Sequence, residues 1–177
     1  GGAGYYGSFQ ACKLFNNTAQ FGGGGFCGNF YSCLIASNAA VLAGDIGSIG
    51  GGGYATTNFN CTLTANRAQW GAGLFRAYAC NSILVANTGA NYYVSGPNDR
   101  TNSSVISYSC TTPLAPGRGN ITSNPLFVGP AWGDYRVGVN SPCFNRGLSQ
   151  SWMSQAQDLA GEPRVRDNRV DMGAYEA

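Results

Sequence analysis

The first half of the chain is one 21-residue unit written four times, and few folds are compatible with that. Residues 1–21 read GGAGYYGSFQACKLFNNTAQF and residues 22–42 read GGGGFCGNFYSCLIASNAAVL. After a seven-residue insertion at 43–49, residues 50–70 read GGGGYATTNFNCTLTANRAQW and residues 71–91 read GAGLFRAYACNSILVANTGAN. Aligned in this way, the copies place Tyr5, Phe26, Tyr54 and Phe75 in one column and Cys12, Cys33, Cys61 and Ser82 in a second. Leu14, Ile35, Leu63 and Leu84 form a third column, and Asn17, Asn38, Asn66 and Asn87 a fourth.

The cysteine and aliphatic columns lie two residues apart, which is the alternation of a strand with one face turned inward. Helical spacing is absent. A strand-bearing repeat of this length closes into a solenoid whose turns pair with their neighbours at about 4.8 Å. Leucine-rich repeats share the period but need several leucines per turn, and this unit has one aliphatic column. The expected fold is therefore all-β: a right-handed parallel β-helix of about 21 residues per coil. The aromatic and aliphatic columns are expected to stack inside it. The asparagines are expected at a corner, where their amides can form a ladder and their backbone tolerates left-handed geometry. The cysteine column reads either as buried thiols or as inter-coil disulfides; Cys27 and Cys80 fall outside it. In the run Gly50 to Tyr54, the glycines occupy the position of a tight corner before an inward aromatic residue.

Composition removes several functional classes. Charged residues make up 10% of the chain, and its net charge of +2 comes from singly scattered arginines and Lys13, so nucleic-acid binding has no support. No apolar stretch is long enough for a membrane-spanning helix. Without histidine or a CxxC pair, neither a metal nor a cofactor is expected. Glycosylation triplets occur at Asn16, Asn60, Asn102 and Asn120.

From Tyr92 the register fades, and residues 92–177 read as degenerate coils followed by an irregular capping or docking segment of the same domain. This half contains YSCTTPLAPGRGNITSNPLFVGPAWGDYRVGVNSPCFNRG (residues 108–147), DLAGEPRV (158–165) and RVDMGAYE (169–176). These runs resemble the C-terminal part of bacterial right-handed β-helix proteins of the choice-of-anchor Q type. The GG-aromatic and N-x-A pattern of the first half is similar to polymorphic outer-membrane protein repeats. The resemblance implies a secreted or surface-exposed bacterial protein with a β-helical body. It also implies a bridge between Cys110 and Cys143, which suits an oxidising setting. Where the family commonly has an SPAIDAG-like segment, this chain has Ser141-Pro142-Cys143-Phe144-Asn145-Arg146-Gly147, with Asn145 in place of the aspartate. Arg164, Asp171 and Glu176 are expected to form ion pairs that pin the last segment over the coil.

Catalysis is not expected. The eight acidic residues form no repeated column, and no histidine is available as a general base. A polysaccharide-active site would have to draw on Asp134, Asp158, Asp167 and Asp171. Glycan binding would use aromatic platforms among Trp70, Tyr92, Tyr93, Trp132 and Trp152. Because Gly1 opens at the first position of the repeat, the sequence leads first to an extracellular structural subunit that stacks head to tail into a fibre. The alternative is a surface adhesin or autotransporter passenger fragment that binds glycan.

Overall fold

A computed structural model describes residues 1–41, 47–95 and 101–177. Most of the 43–49 insertion lies outside these residues, as do Asp45 and Asp99. The chain is an all-β parallel solenoid, with each side of its coil contributing to a continuous sheet. One sheet stacks Gly4–Tyr5, Gly25–Phe26, Gly53–Tyr54 and Leu74–Phe75. The next stacks Ser8–Gln10, Asn29–Tyr31, Thr57–Phe59, Tyr78–Cys80 and Val105–Ser107. A third stacks Lys13–Phe15, Leu34–Ala36, Thr62–Thr64, Ile83–Val85 and Cys110–Thr111. On the fourth side Thr18–Ala19 pairs with Ala39–Ala40, and single bridges carry the row on through Arg67 and Thr88. Every pairing in these four rows is parallel and in register with the repeat.

The corners follow a rule of their own. A residue with positive φ precedes each straight side: Tyr6, Cys27, Ala55 and Arg76; Ala11, Ser32, Asn60 and Asn81; Asn16, Ser37, Ala65 and Ala86; and Gly22, Gly50 and Gly71. The coil is thus a four-sided ring of short strands joined by single left-handed residues. Each ladder asparagine therefore follows the left-handed residue of its corner, whereas the sequence reading gave it that backbone geometry itself.

The aromatic column is a second correction: it lies outside the coil. In the first sheet the inward residues are Gly4, Gly25, Gly53 and Leu74, whereas Tyr5 is 64% exposed. The reason is steric. A Cβ on Gly25 would sit 2.4 Å from Cζ of Phe30, whose inward ring fills the space the glycine leaves. Where the inward residue of the first sheet becomes Leu74, that of the second shrinks to Ala79, so volume is conserved within the coil. Leu14, Ile35, Leu63 and Leu84 form the inward column of the third sheet, as expected.

Within the glycine run, Gly50 is the left-handed corner (φ +67°), and the following residues run against the backbone of the next coil. A Cβ on Gly52 would stand 2.6 Å from the Gly73 carbonyl oxygen and 3.1 Å from Leu63 Cδ2. Gly52→Val is therefore expected to destabilise the fold by about 2–3 kcal/mol through overpacking. Gly138→Val is expected to be near neutral, because nothing lies within 4 Å of its Cβ position. Paired thermal melts of the two variants check this difference.

The insertion joins the coil one position earlier than the sequence alignment placed it. Ile49 bridges Phe21 on one side and Trp70 on the other, so it fills the last position of its coil. Beyond residue 91, Tyr92, Val105–Ser107 and Cys110–Thr111 build a fifth coil. The loop 112–120 then crosses the end of the solenoid, and Ala115 enters the core beside Ile106, Leu84 and Tyr92.

The remaining segment is a strap along the side of the solenoid rather than a cap over its end. It begins with an antiparallel pair, Phe127–Gly129 with Asp134–Val137. It then covers the outward column of the third sheet: the Ala174 amide donates to Thr62 Oγ1 (3.1 Å), and Ile83, Cys110, Val137, Cys143 and Met172 form one buried cluster. That cover explains why Leu34 and Ile83, which point outward, are buried, while Lys13 in the first coil is exposed.

Candidate functional site

The side-chain columns that stack from coil to coil are the candidate site. At the far end the polar groups of the closing loop are consumed internally. Asn120 Nδ2 donates to the carbonyls of Ile106 (2.8 Å) and Ala115 (3.1 Å), its Oδ1 accepts the Ser109 amide (3.0 Å), and Asn91 Nδ2 donates to the Thr112 carbonyl (2.6 Å). The second sheet ends there on Val105–Ser107, and Thr111 Oγ1 is buried without a hydrogen-bond partner among the described residues.

At the first coil the columns run as far as Tyr5, Phe9 and Asn17. The asparagine ladder shows this most directly. Asn38 Oδ1 accepts both the backbone N–H and the Nδ2–H of Asn17 (3.0 and 2.9 Å). Asn66 Oδ1 receives the same pair from Asn38, and Asn87 Oδ1 from Asn66, while Asn91 continues the series by accepting from Asn87. Asn17 Oδ1 is the member of this row that accepts from no described residue. Outside, Tyr5, Phe26, Tyr54, Phe75 and Tyr93 form a continuous stack with centroid spacings of 5.6, 5.1, 5.7 and 4.5 Å. Tyr6 stands edge-on to Tyr5 at 4.8 Å. Inside, Phe9 stacks on Phe30 at 4.9 Å with nothing of the described chain above it.

The cysteine column occupies a corner. Cys33 Sγ donates to the Tyr31 carbonyl (3.2 Å), Cys61 Sγ to the Phe59 carbonyl (3.4 Å) and Ser82 Oγ to the Cys80 carbonyl (3.1 Å), one geometry repeated along the stack. Ser109 continues it by donating to Ser107 (2.7 Å). All the cysteines are thiols. Burial pushes the Cys61 thiol well up, and the neighbouring Cys61 lowers Cys33. Cys12 is half-buried at the open end. Cys27 sits at a left-handed corner, and Cys80 lies under the strap near Gln150. Cys110 and Cys143, paired by resemblance, lie in one buried cluster, where their mutual interaction is the largest cause of a lowered Cys110 and a raised Cys143, and Cys110 Sγ donates to the Ser123 carbonyl (3.1 Å).

The acidic residues are engaged in structure. Arg164 is fully buried; it pairs with Glu176 and reaches Ser32 Oγ of the second coil (3.4 Å) and the Tyr175 carbonyl (3.3 Å). Glu176 accepts the Asp171 amide, while Asp171 accepts the amides of Asn145 (2.6 Å) and Ala177 (2.8 Å). Asp158 accepts the amides of Ala160, Glu162 and Glu176. Desolvation raises both Asp171 and Glu176, the latter to about 7 even though Arg164 opposes the shift. Asp134 pairs with Arg136 on the surface, and Asp167 is exposed. The four acids weighed for polysaccharide chemistry do not gather into one site. No group of metal-ligating side chains occurs among the described residues.

Of the glycosylation triplets, Asn60 is buried and donates Nδ2 to the Asp171 carbonyl (3.0 Å), and Asn120 uses its amide in the end loop. Asn16 is exposed and Asn102 half-exposed. The glycan-platform candidates are dispersed: Trp132 is exposed on the strap, Tyr92 is buried, Trp70 stands edge-on to Tyr93, and Trp152 packs against the second sheet.

The fold defines a class, the all-β parallel solenoid. Compared with protein-family models, curated proteins and solved structures, the chain matches none. No described helix is long and apolar enough to cross a membrane.

Proposed function

We propose that this chain is a non-catalytic structural solenoid of the extracellular space or cell surface, whose first coil is an assembly edge. The observation that carries this reading is the periodic stacking itself: Tyr5, Phe9 and Asn17 repeat the phase of Phe26, Phe30 and Asn38, so the first coil presents the pattern that a further coil of the same kind would meet. What fits such an edge is a further parallel coil with an aromatic residue, an asparagine and strands in the same phase. Its coiling is right-handed, the hand that parallel crossover connections take. Asp134, Asp158, Glu162, Asp171 and Glu176 are committed to backbone amides and arginines, which favours a building block over an enzyme. The contact between Cys110 and Cys143 supports a bridge that would tie the strap to the fifth coil in oxidising surroundings.

Identical subunits stacking head to tail are the simplest source of such a coil, and a fibre is the result. The loop 112–120 bears on that arrangement, because it must yield before the far end of one copy can pair with the first coil of the next. The test is to place a duplicate of residues 50–70 ahead of Gly1. Covering the edge is expected to raise the melting temperature by about 5 °C or more, since each repeat is stabilised by its neighbour interface. The same duplicate added after Ala177 is expected to change nothing. Equal effects at both ends, or none at the first, would remove the edge as an assembly site. Electron microscopy of the unextended protein reports on the fibre: short discrete particles at all concentrations rule it out.

A further inference from the structure

We infer that a trough on the second sheet, where the strap crosses it, binds a neutral oligosaccharide. The outward column there reads Gln10, Tyr31, Phe59 and Cys80, in parallel register. Tyr31 and Phe59 are stacked at 5.4 Å, and Trp152 of the strap stands against them nearly edge-on, 5.0 Å from Tyr31 at 70°. Two aromatic walls thus meet at a steep angle along a groove of about 510 Å³, whose rim carries Ser8, Gln10 and Gln155. All three rings are half-buried, so part of each remains exposed to the groove, and the rim side chains are exposed.

This chemistry selects sugar. Pyranose rings present C–H faces that pack on aromatic walls, while their hydroxyls both donate and accept, as carboxamides and a serine hydroxyl do. No charged side chain lines the groove, so an anionic ligand has no counter-charge. A polyproline segment also uses aromatic grooves, but the indole N–H of Trp152 is already given to Gln150 Oε1 at 2.8 Å, so the segment's carbonyls would rely on the Gln10 and Gln155 amides and the Ser8 hydroxyl. The outer aromatic stack is a poorer platform, because its rings cover one another's faces and leave mainly edges to solvent.

The experiment is a fluorescence titration of the full chain in a Trp70→Phe, Trp132→Phe background, which leaves Trp152 as reporter. The probes are cellotetraose, N,N′,N″,N‴-tetraacetylchitotetraose and a hexaproline peptide. Saturable binding of at least one sugar with Kd on the order of 0.1–1 mM is expected, with none of the peptide. Gln10→Ala with Gln155→Ala is expected to weaken the sugar about tenfold without changing the melting temperature, because neither side chain holds the fold. Three outcomes overturn the inference: no change up to about 10 mM of either sugar, binding that the double variant leaves intact, or preference for the peptide. None of them bears on the first coil as an assembly edge, so the two readings fail separately.

Discussion

Replacing Asn66 by leucine is expected to cost about 4 kcal/mol or more, the largest loss available from one ladder position. The side chains are similar in volume, so packing changes little and hydrogen bonding changes completely. Asn66 Oδ1 accepts from the Asn38 backbone and side-chain amides (3.0 and 3.1 Å), while Asn66 Nδ2 donates to the Ile35 carbonyl and to Asn87 Oδ1 (both 2.9 Å). All of these groups are buried, and leucine takes a partner from each, leaving Asn38 Nδ2 only the Leu14 carbonyl and Asn87 Oδ1 only the Asn66 backbone N–H. An orphaned buried polar group costs roughly 1–3 kcal/mol, and several fail together here. The melting temperature should fall by about 10 °C. Asn17→Leu is the internal comparison. It deletes donors at the half-exposed end of the ladder, retains the backbone N–H bond to Asn38, and should cost about 1 kcal/mol. Equal losses at the two positions would mean that the amides are individually solvated and that no ladder supports the coil.

The contrast between those two asparagines also shows what the sequence made legible. The period fixed which residues stack on which, because in a parallel solenoid a residue meets its counterpart one repeat away. The asparagine column and the aliphatic column followed directly. Alternation along a strand, however, gives the parity of two neighbouring residues and not which of them faces inward. For Gly4–Tyr5 and its counterparts, hydrophobicity argued for the ring inside. The structure puts glycine there, since Phe9 and Phe30 reach across from the next side and fill the same space. A large residue on the adjacent side of the coil thus decided the orientation of its neighbour. The trade between Gly25 with Phe30 and Leu74 with Ala79 is visible in the sequence once the coil is known to be four-sided.

The left-handed corners were hidden for a different reason. Positive φ usually advertises itself through glycine or asparagine, but Tyr6, Cys27, Ala55 and Arg76 share one corner with no common chemistry. The hydrogen bonds of the adjoining strands impose the conformation, and the side chain is free to vary. One signal of the strap was present: Leu34 and Ile83 are apolar at outward positions where Lys13 is not, and an outward apolar residue needs a cover. Its partners could not be named, because Arg164 reaches Ser32 across a separation of 132 residues and no period links them. The same holds for the trough, which exists only because a non-repeating segment delivers Trp152 to the rings of two coils.

That strap should be released by a single substitution at its buried cation. Arg164→Met keeps much of the volume but leaves Glu176 and its neighbour Asp171 buried without the positive charge they face. Breaking one side of a buried pair costs about 3–5 kcal/mol, a fall in melting temperature on the order of 10 °C. Limited proteolysis should then cut within residues 144–170 before the coils, which lose only one side of their cover. Adding Glu176→Gln should recover a large part of the loss, because the pair is replaced by neutral groups instead of half removed. The pH dependence has a definite sign. In the folded protein the Glu176 carboxyl is raised from 4.5 to about 7, and Asp171 shifts in the same direction, with burial the largest cause for both. Between those values the folded state holds protons that the unfolded chain has released. Their contribution is complete below about pH 4.5 and is lost as pH rises through 7, so the wild-type melting temperature should decline across that window. Arg164→Met steepens the decline, since the carboxylate that forms at higher pH has lost its counter-ion. A flat wild-type profile from pH 4.5 to 7 would instead mean that Arg164 keeps Glu176 ionised throughout, and that the strap is held by a full ion pair.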